Sequence, residues 1–156
     1  MSVEIERKFL VDLSELPFSL ADFPSCCIEQ GYLEITPDAE LRVRRSTSAE
    51  NVSYTRTEKR GSGLIREERE SEISVEQFAS DWQKTIGKRV SKTRYTIPLR
   101  SDLVCELDVY EEPLPSLRVV EVEFPSVGES EAFCPPKWFG KEVTGDPRYK
   151  NSALIA

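Results

Sequence analysis

Six short stretches of this chain repeat one arrangement, two ionisable side chains of the same sign placed one residue apart. Glu4 and Glu6 stand in "VEIERKF", with Lys8 two residues on. Arg42 and Arg44 stand in "LRVRR", and Glu68 and Glu70 in "REERESEI", with Glu72 following. Lys92 and Arg94 occupy "SKTRY", Glu106 and Asp108 "CELDVY", and Glu121 and Glu123 "VEVEF". Lys59 shares a parity with Thr55 and Thr57 in "YTRTEK". Successive side chains of a β-strand point to opposite faces, so each pair lies on one face. A solvated sheet face tends to mix signs, because like charges opposed across strands repel. Six sign-sorted strands point instead to a common interior. Nine carboxylates and six cations there are stable only if most are paired or occupied.

Clustered Arg and Lys want an anion with several oxygens. A surplus of carboxylates beside them suits hard cations such as Mg²⁺ or Mn²⁺. A polyphosphate bound with divalent metal satisfies both demands, and six cations suit a triphosphate better than a monophosphate. The chain contains no histidine. That excludes Ser-His and Cys-His nucleophile pairs within the chain and agrees with an all-oxygen metal site.

These side chains need strands to hold them, and the turn signals supply the divisions. The first strand runs from about Val3 to Val11, with Ile5 and Phe9 on the parity opposite the acids and Arg7 interrupting it. "SELPFSLADFPS" reads as a short helix or loop. Further strands are predicted at "CIEQGYLEI", "LRVRR" and "VSYTRTEKR". Gly61-Ser62-Gly63 turns the last of these into "LIREERESEISV". Ser74 caps a helix, with Gln77 where a capping box wants it. Phe78, Trp82 and Ile86 are expected on one covering face of that helix. Strands "KRVSKTRYTIPL", "LVCELDVYE" and "SLRVVEVEF" follow, the last two joined by a turn at Pro113 and Pro115. The segment from Pro135 is expected to be irregular chain and then a short helix. Eight strands with short connections predict a β-dominated α+β fold, a closed eight-stranded antiparallel barrel with a few covering helices. Tyr32, Tyr54, Tyr95 and Tyr110 are expected outside the barrel or at its rim, and Trp138 in a core or cover.

A chain of 156 residues fits one domain over 1–156. A net charge of −7 argues against a general nucleic-acid or anionic-membrane surface. No apolar run approaches the roughly 20 residues that span a bilayer, and the charged first strand leaves no room for a signal peptide. Cys26, Cys27, Cys105 and Cys134 form no C-x-x-C, so reduced thiols in cytoplasm are expected.

The ordered motifs resemble the CYTH proteins, or triphosphate tunnel metalloenzymes, of the short bacterial type. "EIERK" is similar to their E-x-E-x-K signature; "RVR", "TEK", "REERE", "KTRY", "ELD", "EVEF" and "WFGKEVTGDPRYKNSAL" follow in order along nearly the whole chain. The resemblance implies a tunnel that binds a triphosphate at its centre and a Mg²⁺- or Mn²⁺-dependent activity, most simply hydrolysis of inorganic tripolyphosphate by metal-activated water. Thiamine triphosphate hydrolysis, cyclisation of ATP, or polyphosphate or nucleotide binding without turnover are the alternatives. It further implies that Glu4 and Glu6 hold metal near the attacked phosphorus, with Lys8 as a possible catalytic helper. Glu121 and Glu123 would hold a metal that bridges phosphates. Lys8, Arg42, Arg44, Lys59, Lys92 and Arg94 would cradle the phosphates. Arg66, on the same parity, would reach a terminal phosphate. Glu68, Glu70, Glu106 and Asp108 would orient the metals' water ligands and the basic side chains. "TGDPRYKNSALIA" plugs one tunnel mouth or packs as a plain helix, with Arg148 and Lys150 as candidates for substrate approach. A monomer or homodimer acting on a small-molecule triphosphate is expected.

Overall fold

A computed structural model describes residues 2–100, 102–111, 114 and 116–150. Its strands are β1 (Ser2–Val11), β2 (Ser25–Ile35), β3 (Ala39–Thr47), β4 (Val52–Arg60), β5 (Ile65–Glu72), β6 (Arg89–Pro98), β7 (Val104–Tyr110), β8 (Arg118–Glu123) and β9 (Phe139–Glu142). Two short helices, α1 (Val75–Trp82) and α2 (Val127–Ala132), lie outside them. The first eight strands run in the order β5-β4-β3-β2-β6-β7-β8-β1, every neighbour antiparallel. Residues 2–5 of β1 then pair with residues 65–68 of β5 and close the cylinder.

β1 cannot serve one neighbour along its whole edge. Beyond Ile5 it leaves β5, and β9 takes over opposite Phe9 and Val11. β9 is a strand where irregular chain was expected: "FGKE" is too short to display a period of two. Its backbone continues alongside β1, with Val143 N–H donating to the Lys8 carbonyl at 2.8 Å.

The main apolar core lies outside the barrel wall. Phe9, Ile97, Cys105, Leu107, Val120 and Val122 turn away from the acids and pack against Phe124, Phe133, Trp138 and Phe139. Trp138 is therefore a covering residue, as expected. "SELPFSLADFPS" resolves into two 3₁₀ turns, Leu13–Glu15 and Leu20–Asp22, which pack partly buried leucines and phenylalanines against this cluster. Arg7, the polar interruption on that face, forms a bidentate pair with Glu142 at 2.8 and 2.9 Å and donates to the Ser130 carbonyl.

On the opposite wall, α1 covers β3 and β4. Its Ser74 side chain accepts from Gln77 N–H at 3.0 Å, but the Gln77 amide turns forward to Asp81 rather than back to the cap. Phe78 stacks on Trp82 and meets Tyr54. The expected extension to Ile86 fails. The helix ends at Trp82, tightens into a 3₁₀ turn over Gln83–Thr85, and leaves Ile86 74% exposed. Thr85 is buried instead, pressed so closely on β2 that a Cβ at Gly31 would fall 2.5 Å from its hydroxyl. The turn expected at Pro113 and Pro115 lies outside the described residues.

Candidate active site

The sorted pairs all face inward, because cross-strand partners share a face and these residues oppose one another. Glu6 stands opposite Glu123 and Lys8 opposite Glu121 across β1 and β8. Glu106 stands opposite Glu121, Arg94 opposite Asp108, Lys59 opposite Glu68 and Glu4 opposite Arg66. They converge on a cavity of about 180 Å³ lined by Glu4, Glu6, Arg42, Arg44, Lys59, Glu68, Glu70, Arg94, Glu106, Glu121 and Glu123. Seven of these eleven are carboxylates and four are cations.

Four candidates lie just outside that lining. Lys8 and Arg66 line an adjoining side pocket with Glu6 and Lys150, where the Lys8 ammonium donates to the Tyr149 carbonyl at 3.2 Å. Lys92 and Asp108 are fully buried beneath Arg94. Asp108 accepts both Nε and Nη2 of Arg94, at 2.8 and 2.9 Å, and forms an ion pair with Lys92 Nζ at 2.7 Å. Glu72 stays at the solvent-exposed end of β5. Arg148 pairs with Asp146 and is exposed. The segment from Thr144 to Lys150 runs along the β1 seam beside the side pocket, and residues beyond Lys150 lie outside the described chain.

Several inner-wall residues carried no charge signal and were missed. Tyr32 is not at the rim: it stands opposite Arg42, fully buried. Tyr110 also faces inward, opposite Lys92, and packs with Val90, Val119 and Leu10 to fill the far end of the cylinder. Tyr54 is on the outer wall beneath Phe78, and Tyr95 packs against the outer core, as expected. Gln30 stands opposite Arg44 and Thr57 donates to Glu70. Glu40, on the parity of Arg42 and Arg44 but of opposite sign, takes Arg66 at 3.2 Å.

The electrostatics show which groups are satisfied. Lys59 bridges Glu4 at 3.1 Å and Glu68 at 3.4 Å. Burial raises the Glu6 carboxyl well above its ordinary value, and repulsion from Glu121 and Glu4 and a hydrogen bond with Glu121 add to this. For Glu121 burial acts upward but is outweighed by Lys8, the hydrogen bond from Glu6, and Arg94, so its carboxylate is held well down. Burial also raises Glu123, with help from Glu4, Glu68 and Glu106. Asp108 is held ionised by Lys92 and Arg94 against burial, and burial pushes the Lys92 ammonium down to about 7. Burial pushes Arg44 down to about 9, and Arg42 and Arg94 add repulsion. Arg42 Nε and Arg66 Nε are buried donors without an acceptor. The wall thus crowds acids against one another, beside two arginines, Arg42 and Arg66, that each keep an unpartnered Nε. Among the described residues no three acidic or cysteine side chains come close enough to enclose a metal ion by themselves.

A closed β-cylinder whose inner wall crowds seven carboxylates against four cations defines a charged interior cavity. No family model matches the chain. It is similar to the inorganic triphosphatase of Nitrosomonas europaea, 45% identical over 97% of this chain and 95% of that protein. It is also similar to the inorganic triphosphatase of Acetivibrio thermocellus, 33% identical over 99% and 94%. A solved inorganic triphosphatase structure, 43% identical, superposes with a TM-score of 0.69 over 99% of this chain and 95% of the other. A Pyrococcus horikoshii structure at 19% identity, covering 83% of each chain with a TM-score of 0.61, shares the fold alone. The chain belongs to the inorganic triphosphatase family.

Proposed function

We propose that this protein hydrolyses inorganic tripolyphosphate to diphosphate and orthophosphate with a divalent metal, Mg²⁺ or Mn²⁺, and that it is a short bacterial-type CYTH enzyme of the cytoplasm. The observation that carries the substrate assignment is the cavity lining. All eleven residues are charged, so nothing there offers an apolar or aromatic surface to a base or thiazole ring. The ordered motifs from "EIERK" to "EVEF" support the family subtype, and four free cysteines agree with a reducing compartment.

The residues present fit a hard metal ion. Seven carboxylates outnumber four cations in the lining, so a polyanion entering alone would meet net repulsion. Mg²⁺ is commonly held by one or two carboxylates, with substrate oxygens and water completing its shell, so a cage of three protein ligands is not required. Glu4 with Glu6, and Glu121 with Glu123, are the pairs that would hold it. Glu68, Glu70, Glu106 and Asp108 would orient the surrounding donors. When bound, the metal neutralises phosphate charge and acidifies water for attack at phosphorus.

The chain's own groups do the rest. Arg42, Arg44, Arg94 and Lys59 hold the phosphate oxygens and take up negative charge as the terminal P–O–P bond breaks. Lys8 and Arg66 reach the end of the substrate from the side pocket. Lys92 acts from beneath, fixing Asp108 and through it Arg94. Holding the anion in line with the attacking water is the main contribution required of the protein.

An esterified triphosphate would have to rest its organic group outside the mouth, in a depression that Glu106, Glu121 and Glu123 share with Val104, Phe124 and Pro125. The test is a substrate panel of tripolyphosphate, thiamine triphosphate and ATP, with Mg²⁺ and Mn²⁺, following phosphate release and cyclic AMP. Tripolyphosphate should dominate kcat/KM. Preferred turnover of either organic triphosphate, or tight binding without phosphate release, overturns the proposal.

A further inference from the structure

Gln30 of β2 is fully buried directly across from Arg44 of β3. Its Oε1 accepts two hydrogen bonds from that guanidinium, from Nε at 3.0 Å and Nη2 at 2.7 Å. Its Nε2 donates to the Tyr32 hydroxyl at 2.9 Å. The amide orientation follows from the chemistry, since two guanidinium donors demand the oxygen and the tyrosine hydroxyl takes the nitrogen.

The other cations of the cavity wall are matched differently. Lys59 meets Glu4 at 3.1 Å, Arg94 meets Asp108 at 2.8 Å, and Arg42 lies 3.9 Å from Glu40. Among the described residues Arg44 has no carboxylate within ion-pair distance, and it is half-buried on the cavity lining. An arginine clamped at two donors usually faces a carboxylate. Glutamate has the shape of glutamine and would complete that pair, so the chain carries the neutral isostere at the one place where an acid would cancel the charge.

We propose that Gln30 is a positioning residue for triphosphate binding: it fixes the Arg44 guanidinium with a neutral acceptor and leaves the full cationic charge for a phosphate of the substrate. The proposal rests on the tripolyphosphatase reading above. Three of the five guanidinium N–H groups remain after Gln30 has taken two. Tyr32 is the strut behind the amide, which accounts for a buried tyrosine beside the arginines of β3. Burial, Arg42 and Arg94 push Arg44 down and Asp108 offsets this only in part, in agreement with a cation that no carboxylate pairs directly.

The test uses Gln30→Glu and Gln30→Met in the full chain, read by KM and kcat for tripolyphosphate with Mg²⁺, by calorimetric titration with tripolyphosphate, and by Tm. Gln30→Glu keeps the shape and both Arg44 hydrogen bonds, and the Tyr32 hydroxyl turns from accepting to donating toward the new carboxylate, so its Tm should match or exceed that of the original. Its KM and Kd should rise about tenfold or more while kcat changes little, the scale of one lost charge-assisted contact. A merely structural role predicts the reverse order, with the isostere harmless and Gln30→Met damaging. Tyr32→Phe, which frees one side of the amide, should raise KM about two- to threefold without the charge effect. In an Arg44→Met background, Gln30→Met should add no further loss. Unchanged tripolyphosphate affinity in Gln30→Glu, or a loss that merely follows a fall in Tm, overturns the inference. If the original protein neither binds nor cleaves tripolyphosphate, the functional reading fails instead.

Discussion

Glu6, opposed to Glu123 and hydrogen-bonded to Glu121, stores repulsion that a solvated strand would shed. Its folded value is raised, so the folded chain binds this proton more tightly than the unfolded chain does. In protein freed of metal by chelation, stability should therefore fall as pH rises from 4.5 toward the raised folded value. Glu6→Gln removes the burden. Its Tm in chelator should exceed the original at pH 7–8, and the gain should vanish below pH 4.5. Its kcat should fall by about 10²-fold or more, the scale of losing one preorganised electrostatic contact. Equal melting temperatures at neutral pH would contradict the account. Asp108 is the opposite case, a carboxylate already satisfied by Arg94 and Lys92. Asp108→Asn leaves two buried cations short of an anion and should cost about 3 kcal/mol or more by denaturant unfolding. A loss below 1 kcal/mol would mean that solvent reaches the pair.

β1 is the element on which closure depends, because β5 and β9 divide one of its edges. The Arg7–Glu142 pair ties its outer face to β9. Arg7 holds the Glu142 carboxyl below its ordinary value through a hydrogen bond. Stability from this pair is complete above 4.5 and is lost as pH falls through the lowered folded value. Glu142→Gln should thus melt below the original at pH 7 and with it at the acid end. Because Glu142 is 38% exposed, the difference should stay below about 1 kcal/mol. A gap that persists in acid would point to packing rather than charge. The element-level surprises have local causes. β9 is too short to show alternation. α1 lacks a helical stop signal before Ile86, so periodicity ran on past the point where Thr85 packs against Gly31.

At the scale of the molecule, a cylinder charged over most of its inner wall holds only a small apolar plug around Val90, Tyr110 and Val119, and the larger stabilising burial moves to the outer wall. The interior then depends on its ligands. Tripolyphosphate with Mg²⁺ should raise Tm well above either component alone, because the anion needs the metal to enter an acid-rich wall and the metal needs phosphate oxygens to complete its shell. At ligand concentrations near a hundred times Kd the stabilisation should approach about 2.7 kcal/mol. A full shift with tripolyphosphate in chelator would show that the carboxylates do not call for metal.

The sequence by itself determined which side chains travel together. Alternation is a property of strand geometry within a few residues, so Arg42 with Arg44 and Glu121 with Glu123 were legible as faces without a fold. Eight such strands with short connections predicted the barrel, and the sorted charges a triphosphate with metal; the resemblance of the ordered motifs added the family and a role for each residue. Only the tertiary structure decided the partners across those faces, because register and closure are set by contacts distant in the chain. Lys59 meets Glu4, 55 residues away, and Arg44 meets a glutamine rather than an acid. Uncharged Gln30 and Tyr32 gave no sign of belonging to the charged wall until pairing with β3 turned them inward.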